Sequence, residues 1–178
     1  VKTFDGGPIK TAVYVGIDQS YSGFAITLLE KETGNYQTTV YKAEGSGVVR
    51  LRAIKNHILD TLLNYHIEDA AIEGYAFGSQ MANMLGELGA VVKLALLDLY
   101  VFPLIVPPTN LKKYVTGKGN GISKSQMLLH VYKKWGAEFT DDNAADSYAL
   151  ARLVAGMHEL SYEQEVYDKL QDPKFRER

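Results

Sequence analysis

The chain has 178 residues, 46% of them hydrophobic, with a net charge of −2 and no cysteine. That is material for one core of ordinary size, with no apolar run of membrane-spanning length, and it excludes disulfide frameworks, thiol nucleophiles and zinc–thiolate sites. The first residues lack the apolar core of a secretory signal, so a soluble protein of the reducing cytoplasm is expected.

In chain order, residues 1–10, with Gly6-Gly7-Pro8, are an extension ahead of the first strand. Strands are predicted over 11–18, 23–31 and 36–43, the last two joined through a hairpin signal at Lys31 to Asn35. A helix over 48–64 follows from the helical spacing of Leu51, Ile54, Ile58 and Leu62, and then a short strand ends on Glu73. Residues 80–100 carry Met81, Met84, Leu85, Leu88, Val92, Ala95 and Leu99 on one stripe, a long helix whose two methionines are core filler. A strand over 102–106 is stopped by Pro107 and Pro108. Helices over 123–135 and 143–158 come next, the second with Thr140 as its N-cap, and 159–178 is a charged tail with a peripheral helix. The pattern is α/β: a mixed five-stranded sheet with helices on both faces, in a single domain over 11–158.

Three acids occupy recognisable frames. Asp18 ends the first strand, Glu73 ends the short apolar run from Ala70, and Asp146 lies in the first turns of the last core helix. Taken singly, each has an ordinary explanation as a strand terminator, a surface acid or helix decoration. Two strand ends and a helix start can converge, however, and gathered carboxylates repel unless a cation sits among them. All-oxygen donors point to magnesium, with manganese as a substitute. A pair of such ions about 4 Å apart supports phosphodiester hydrolysis.

Charge is also unevenly spread. The segment from Lys112 to Lys134 holds six lysines and no acid, centred on the glycine-rich run from Gly117 to Gly121, so a basic loop suited to a phosphate backbone stands on an acidic body. The four histidines, His57, His66, His130 and His158, have no ligand spacing and are surface or filling residues.

The succession of Gly16-Ile17-Asp18 with Ser22-Gly23-Phe24-Ala25, Ala71-Ile72-Glu73, the helical Leu85-Gly86-Glu87-Leu88-Gly89, Asn110 through Gly119, Lys124-Ser125-Gln126-Met127, and Ala144-Ala145-Asp146-Ser147 resembles RuvC-type Holliday-junction resolvases over about 13–155. The divergent spacers look more like the phage-borne branch, which would place the protein in a host cytoplasm. The resemblance implies a ribonuclease-H-like fold, a homodimer, and paired magnesium-dependent nicks in a four-way junction, with no nucleotide cofactor. It carries metal-binding roles onto Asp18, Glu73 and Asp146. The family's fourth position, three residues before the last acid and normally Asp or His, is Asn143 here; Asp142 stands one residue earlier and both remain candidates, since either spacing reaches the face of Asp146 on a helix. With Asn143 in that place, one metal would be held more weakly and manganese favoured. Lys118 and Lys124 fall close to the family's basic DNA-contacting positions, and Lys112 and Lys113 would hold an arm of the junction. The family stacks an aromatic on an unpaired base just beyond the second acid; the usual offset falls on Ala76, leaving Tyr75 and Phe77 as candidates. Three other readings stay open: a non-catalytic junction-binding protein, a nuclease of the same fold acting on flaps or RNA–DNA hybrids, and, less compatible with this length, an actin-like kinase or ATPase.

Overall fold

The computed structural model of the protein describes residues 1–75 and 81–178. Its strands are β1 (Lys2–Asp5), β2 (Val13–Asp18), β3 (Phe24–Leu29), β4 (Tyr36–Tyr41), β5 (Ile67–Glu73) and β6 (Leu104–Val106). They form one mixed sheet in the order β1-β4-β3-β2-β5-β6. The β1–β4–β3–β2 half is antiparallel, and β2, β5 and β6 run parallel. The sheet thus has six strands rather than the expected five. The sixth is β1, where Phe4 is the only apolar residue; it is held by long-range pairing to β4 and by the packing of Phe4 on Phe139, 5.1 Å between ring centres. Neither leaves a local periodic signal.

Helices cover both faces. On one, α1 (Gly47–Leu62) and α2 (Ala82–Asp98) bury Ile54, Ile58, Leu88 and Val92 against Val13, Val15 and Ile17 of β2. The alternate residues of β2 face α5 (Asp142–Val154), which is apolar almost all round because the sheet lies on one side and α3 (Pro108–Thr116), α4 (Lys124–Trp135) and α6 (Ser161–Leu170) enclose it. The stripe expected on α2 is only partly inward: Met81 and Met84 are 45% and 38% exposed, so they do not fill the core, and Leu96 joins Leu88, Val92 and Ala95 there instead.

Two local signals differ from expectation. The Pro107-Pro108 pair stops β6 but also starts α3, with Pro108 in the first turn, where a missing N–H has no helical partner to lose. Gly117, at φ 80°, ends that helix in the left-handed conformation. The N-cap of α5 is Asp141, not Thr140: Asp141 Oδ1 accepts from the N–H groups of Asn143 and Ala144, at 3.0 and 3.3 Å. The charged tail does contribute a helix, α6, but that helix is tied in by Val166, Leu170 and the fully buried Glu163. Beyond it, Arg176 bridges to Leu104 of β6 and grips Asp69 through both carboxylate oxygens, at 2.6 and 3.0 Å. Among the described residues, no helix is long and apolar enough to cross a membrane.

Candidate metal centre

Because β2 and β5 run parallel, their carboxyl ends lie at the same edge of the sheet. Their register closes at Ile17 opposite Ile72, leaving Asp18 and Glu73 side by side one residue beyond the last pair. The third acid comes from above. At Gly16 the backbones of β2 and α5 touch: a Cβ there would overlap the Ser147 carbonyl oxygen and lie 2.5 Å from Ala151 N. This close approach lowers the start of α5, and with it Asp146, over the strand end. Side-chain hydroxyls set the helix in place. Thr27 Oγ1 lies 2.7 Å from Thr38 Oγ1 and 2.8 Å from Ser147 Oγ, and Ser147 also donates to the Ala144 carbonyl at 2.9 Å, all fully buried.

Asp18, Glu73 and Asp146 thereby offer carboxylate oxygens that lie within 4.8 Å of one another. Burial, reinforced by the other acids, holds Asp18 and Asp146 well above the ordinary carboxylate range. Burial raises Glu73 to about 7, and the Lys112 ammonium works against that rise. Among the described residues, Asp146 Oδ1 is buried with no hydrogen-bond partner. Three withdrawn carboxylates with an orphaned oxygen make a donor set that fits a hard divalent cation such as magnesium or manganese.

The lysines divide. Lys112 on α3 and Lys124 at the start of α4 both act on the acids by charge, easing the ionisation of Asp146. Lys124 also holds Asp142 at 2.6 Å, so Asp142 stands outside the close trio while still adding negative charge to it. Lys113 turns to α6 and pairs with Glu165 at 2.9 Å. Lys118 is exposed on the glycine loop. Lys134 turns away from the basic surface: it is only 14% exposed and pairs with the buried Glu163, donates to the carbonyls of Tyr114 and Val115, and lies over Trp135 and Tyr162. The side-chain amide of Asn143 lies against the β2–β3 turn, where a Cβ at Gly23 would come within 2.8 Å of its Nδ2.

A cleft of about 260 Å³ opens beside the acids, walled by Gly74, Tyr75, Leu85 and Pro108. Tyr75 is 39% exposed at its lip, its ring running past Gly86 and Gly89 of α2. Phe77, the other aromatic candidate, lies outside the described residues, as does Ala76. One residue that sequence reasoning passed over also lines this cleft. Gln19, in the polar turn after Asp18, is only 9% exposed, and its Nε2 donates to the Glu73 carbonyl at 2.8 Å. A lone Gln in a turn gives no sequence signal; its role appears only once β5 is beside β2.

No protein-family model matches the chain, and no curated protein matches it. Solved structures do. RuvC from Thermus thermophilus matches with a TM-score of 0.67 at 19% identity, over 93% of this chain and 98% of that one. T. thermophilus RuvC in complex with a Holliday junction substrate matches with a TM-score of 0.68 at 18% identity, over 89% of this chain and 96% of that one. At such identities the likeness speaks for architecture, and the chain has the ribonuclease-H-like α/β fold, here with a six-stranded mixed sheet between two helical layers.

Proposed function

We propose that this protein is a divalent-metal-dependent endodeoxyribonuclease that resolves four-way and related branched DNA by paired nicks. The observation that carries this reading is the meeting of Asp18, Glu73 and Asp146, from two adjacent strand ends and a helix laid across them, within 4.8 Å. The likeness to a RuvC held with a Holliday junction substrate supports the choice of DNA.

In this reading Asp18, Glu73 and Asp146 hold the metal, with Asp142 or Asn143 at a fourth position. Magnesium bound there, or manganese in its place, would polarise the scissile phosphate and lower the pKa of an attacking water. Lys112 and Lys124 neutralise phosphate charge beside the acids, the exposed Lys118 adds a further phosphate contact, Lys113 is engaged by Glu165 instead of holding an arm, and Tyr75 or Phe77 stacks on an unpaired base. Paired nicks need two centres. We assign the partner centre to a second copy, docked through the outward apolar residues Met84, Leu94 and Leu97 of α2, all of them exposed. We assign the chain to the phage-borne branch on its divergent spacers, where debranching of replicated DNA is the expected task.

The test compares nicking of an end-labelled immobile four-way junction with a linear duplex of matching sequence, in magnesium, manganese and chelator, beside Asp146→Asn. Symmetric metal-dependent nicks on the junction, missing from the duplex and the variant, are expected. Tight junction binding without cleavage in either metal would favour the second reading, a junction-binding protein without chemistry, to which the neutral Asn143 points.

A further inference from the structure

We infer that Gln19 is a positioning residue that sets the gap between Asp18 and Glu73, and through it the affinity and selectivity of the metal centre. The inference rests on the metal-binding reading above and extends it to a residue outside the acidic trio.

The backbone ladder stops one pair short of this gap. Pairing between β2 and β5 ends at Ile17 opposite Ile72, so Asp18 and Glu73 are not themselves a pair of the ladder. On its other side Glu73 is firmly paired: it lies opposite Val106 of β6, and Gly74 N donates to the Val106 carbonyl at 2.8 Å. Asp18 is likewise paired on its own far side, to Ala25 of β3. Sheet twist separates strand ends that are not paired.

Gln19 closes the interval. It follows Asp18 directly, turns to the opposite face of the sheet, and sends its Nε2 to the carbonyl of Glu73 itself at 2.8 Å. A bond to the main chain of Glu73 fixes the root of that side chain without occupying either carboxylate oxygen, so the acid stays available to a cation. On its far side the amide faces α2, where a Cβ at Gly89 would lie 3.6 Å from Gln19 Oε1; that oxygen has no hydrogen-bond partner among the described residues, and Gln19 is more than nine-tenths buried. A single short amide thus replaces the missing rung between the two metal-bearing strands. Groups that orient metal ligands in this way commonly alter affinity by about 10- to 100-fold when removed. Magnesium, which demands near-ideal octahedral geometry, is the more sensitive ion to a change of gap.

The experiment is calorimetric titration of manganese and of magnesium into the wild-type chain, Gln19→Met and Gln19→Asn, with thermal melts of all three in chelator. Methionine keeps the length and loses the donor; asparagine keeps the amide but is too short to reach Glu73. Both variants are expected to lose about tenfold in manganese affinity and more in magnesium affinity, with melting temperatures close to wild type. Unchanged affinities with lowered melting temperatures, or failure of both variants to fold, would make Gln19 a residue of the fold and overturn the inference. Uptake of neither ion by the wild-type chain would instead remove the metal reading, and this inference with it.

Discussion

Gly16 of β2 lies directly beneath the Ser147 carbonyl of α5, with no room for a methyl group between them. The helix that delivers Asp146 is thereby seated on the strand that delivers Asp18. Gly16→Ala must lift or tilt that helix, and overpacking of this kind costs about 3 kcal/mol. Urea denaturation should show the loss, and manganese titration a parallel loss of affinity. A Gly16→Ala protein of unchanged stability and affinity would contradict the close-packing argument.

Acidity gives a second expectation. Unfolded carboxyls titrate near 4, whereas burial raises Glu73 to about 7 and holds Asp18 and Asp146 well above the usual range. Between about pH 4 and 7 the folded, metal-free chain therefore binds more protons than the unfolded one, and this contribution to stability is lost as pH rises through that window. A divalent ion competes with the same protons, so its affinity climbs as pH rises through the window. Melts in chelator and metal titrations from about pH 5 to 8 should slope in opposite senses.

The fourth ligand position separates two substitutions. If Asn143 occupies it, Asn143→Asp tightens magnesium several-fold and narrows the gap to manganese, while Asp142→Asn mainly frees Lys124. If Asp142 reaches the metal once Lys124 turns to phosphate, Asp142→Asn weakens both ions and Asn143→Asp changes little. Equal affinity and equal activity with the two metals in the natural chain would count against a weak neutral ligand.

Adjacent lysines should behave differently on DNA. Lys112 acts on the acids, whereas Lys113 is paired with Glu165 on α6. Each phosphate contact contributes about 0.9 to the slope of log affinity against log salt on duplex arms. Lys112→Met should lower that slope by about one and reduce cleavage; Lys113→Met should leave both near wild type. Equal effects would restore the view of the pair as one arm-holding patch.

Lys134 belongs to the fold. Lys134→Met leaves Glu163 buried without its cation, and breaking such a pair costs about 3–5 kcal/mol. The double change Lys134→Met with Glu163→Gln should recover part of the loss. Metal affinity should be unmoved in both, because the pair joins α4 to α6 and not to the acids.

Much of this was legible in the residues. The alternation around Gly16 and Asp18 and the apolar run to Glu73 locate β2 and β5 closely, because buried strands write their period into the chain. The start of α5 was equally readable, missed by one residue because Thr140 and two aspartates all make credible caps. What stayed hidden depends on long-range partners. Strand β1 has one apolar residue and needs β4 and Phe139 to exist. Helix α3 is absent from the sequence reading, which takes Pro107 and Pro108 only as the stop of a strand, because Pro108 serves equally well as a stop or a start. Met81 and Met84 share a periodicity with the core and still face outward, since a stripe does not say where its own edge lies. The lysine-rich segment could not show that Lys134 turns inward to Glu163, because charge is counted along the chain and burial is not.

The chain of hydroxyls from Thr38 through Thr27 to Ser147 does more than satisfy buried oxygens. A helix packed on a sheet by apolar contacts alone is free to roll a little about its own axis, since methyl groups have no preferred bearing. Successive residues of a helix stand about 100° apart, so fixing the azimuth of Ser147 fixes that of its neighbour Asp146 as well. A working constellation tolerates only about 10–20° of error. Two threonines on the sheet and one serine on the helix therefore act as a keyway, and the bearing of the third acid is decided in the dry interior of the protein.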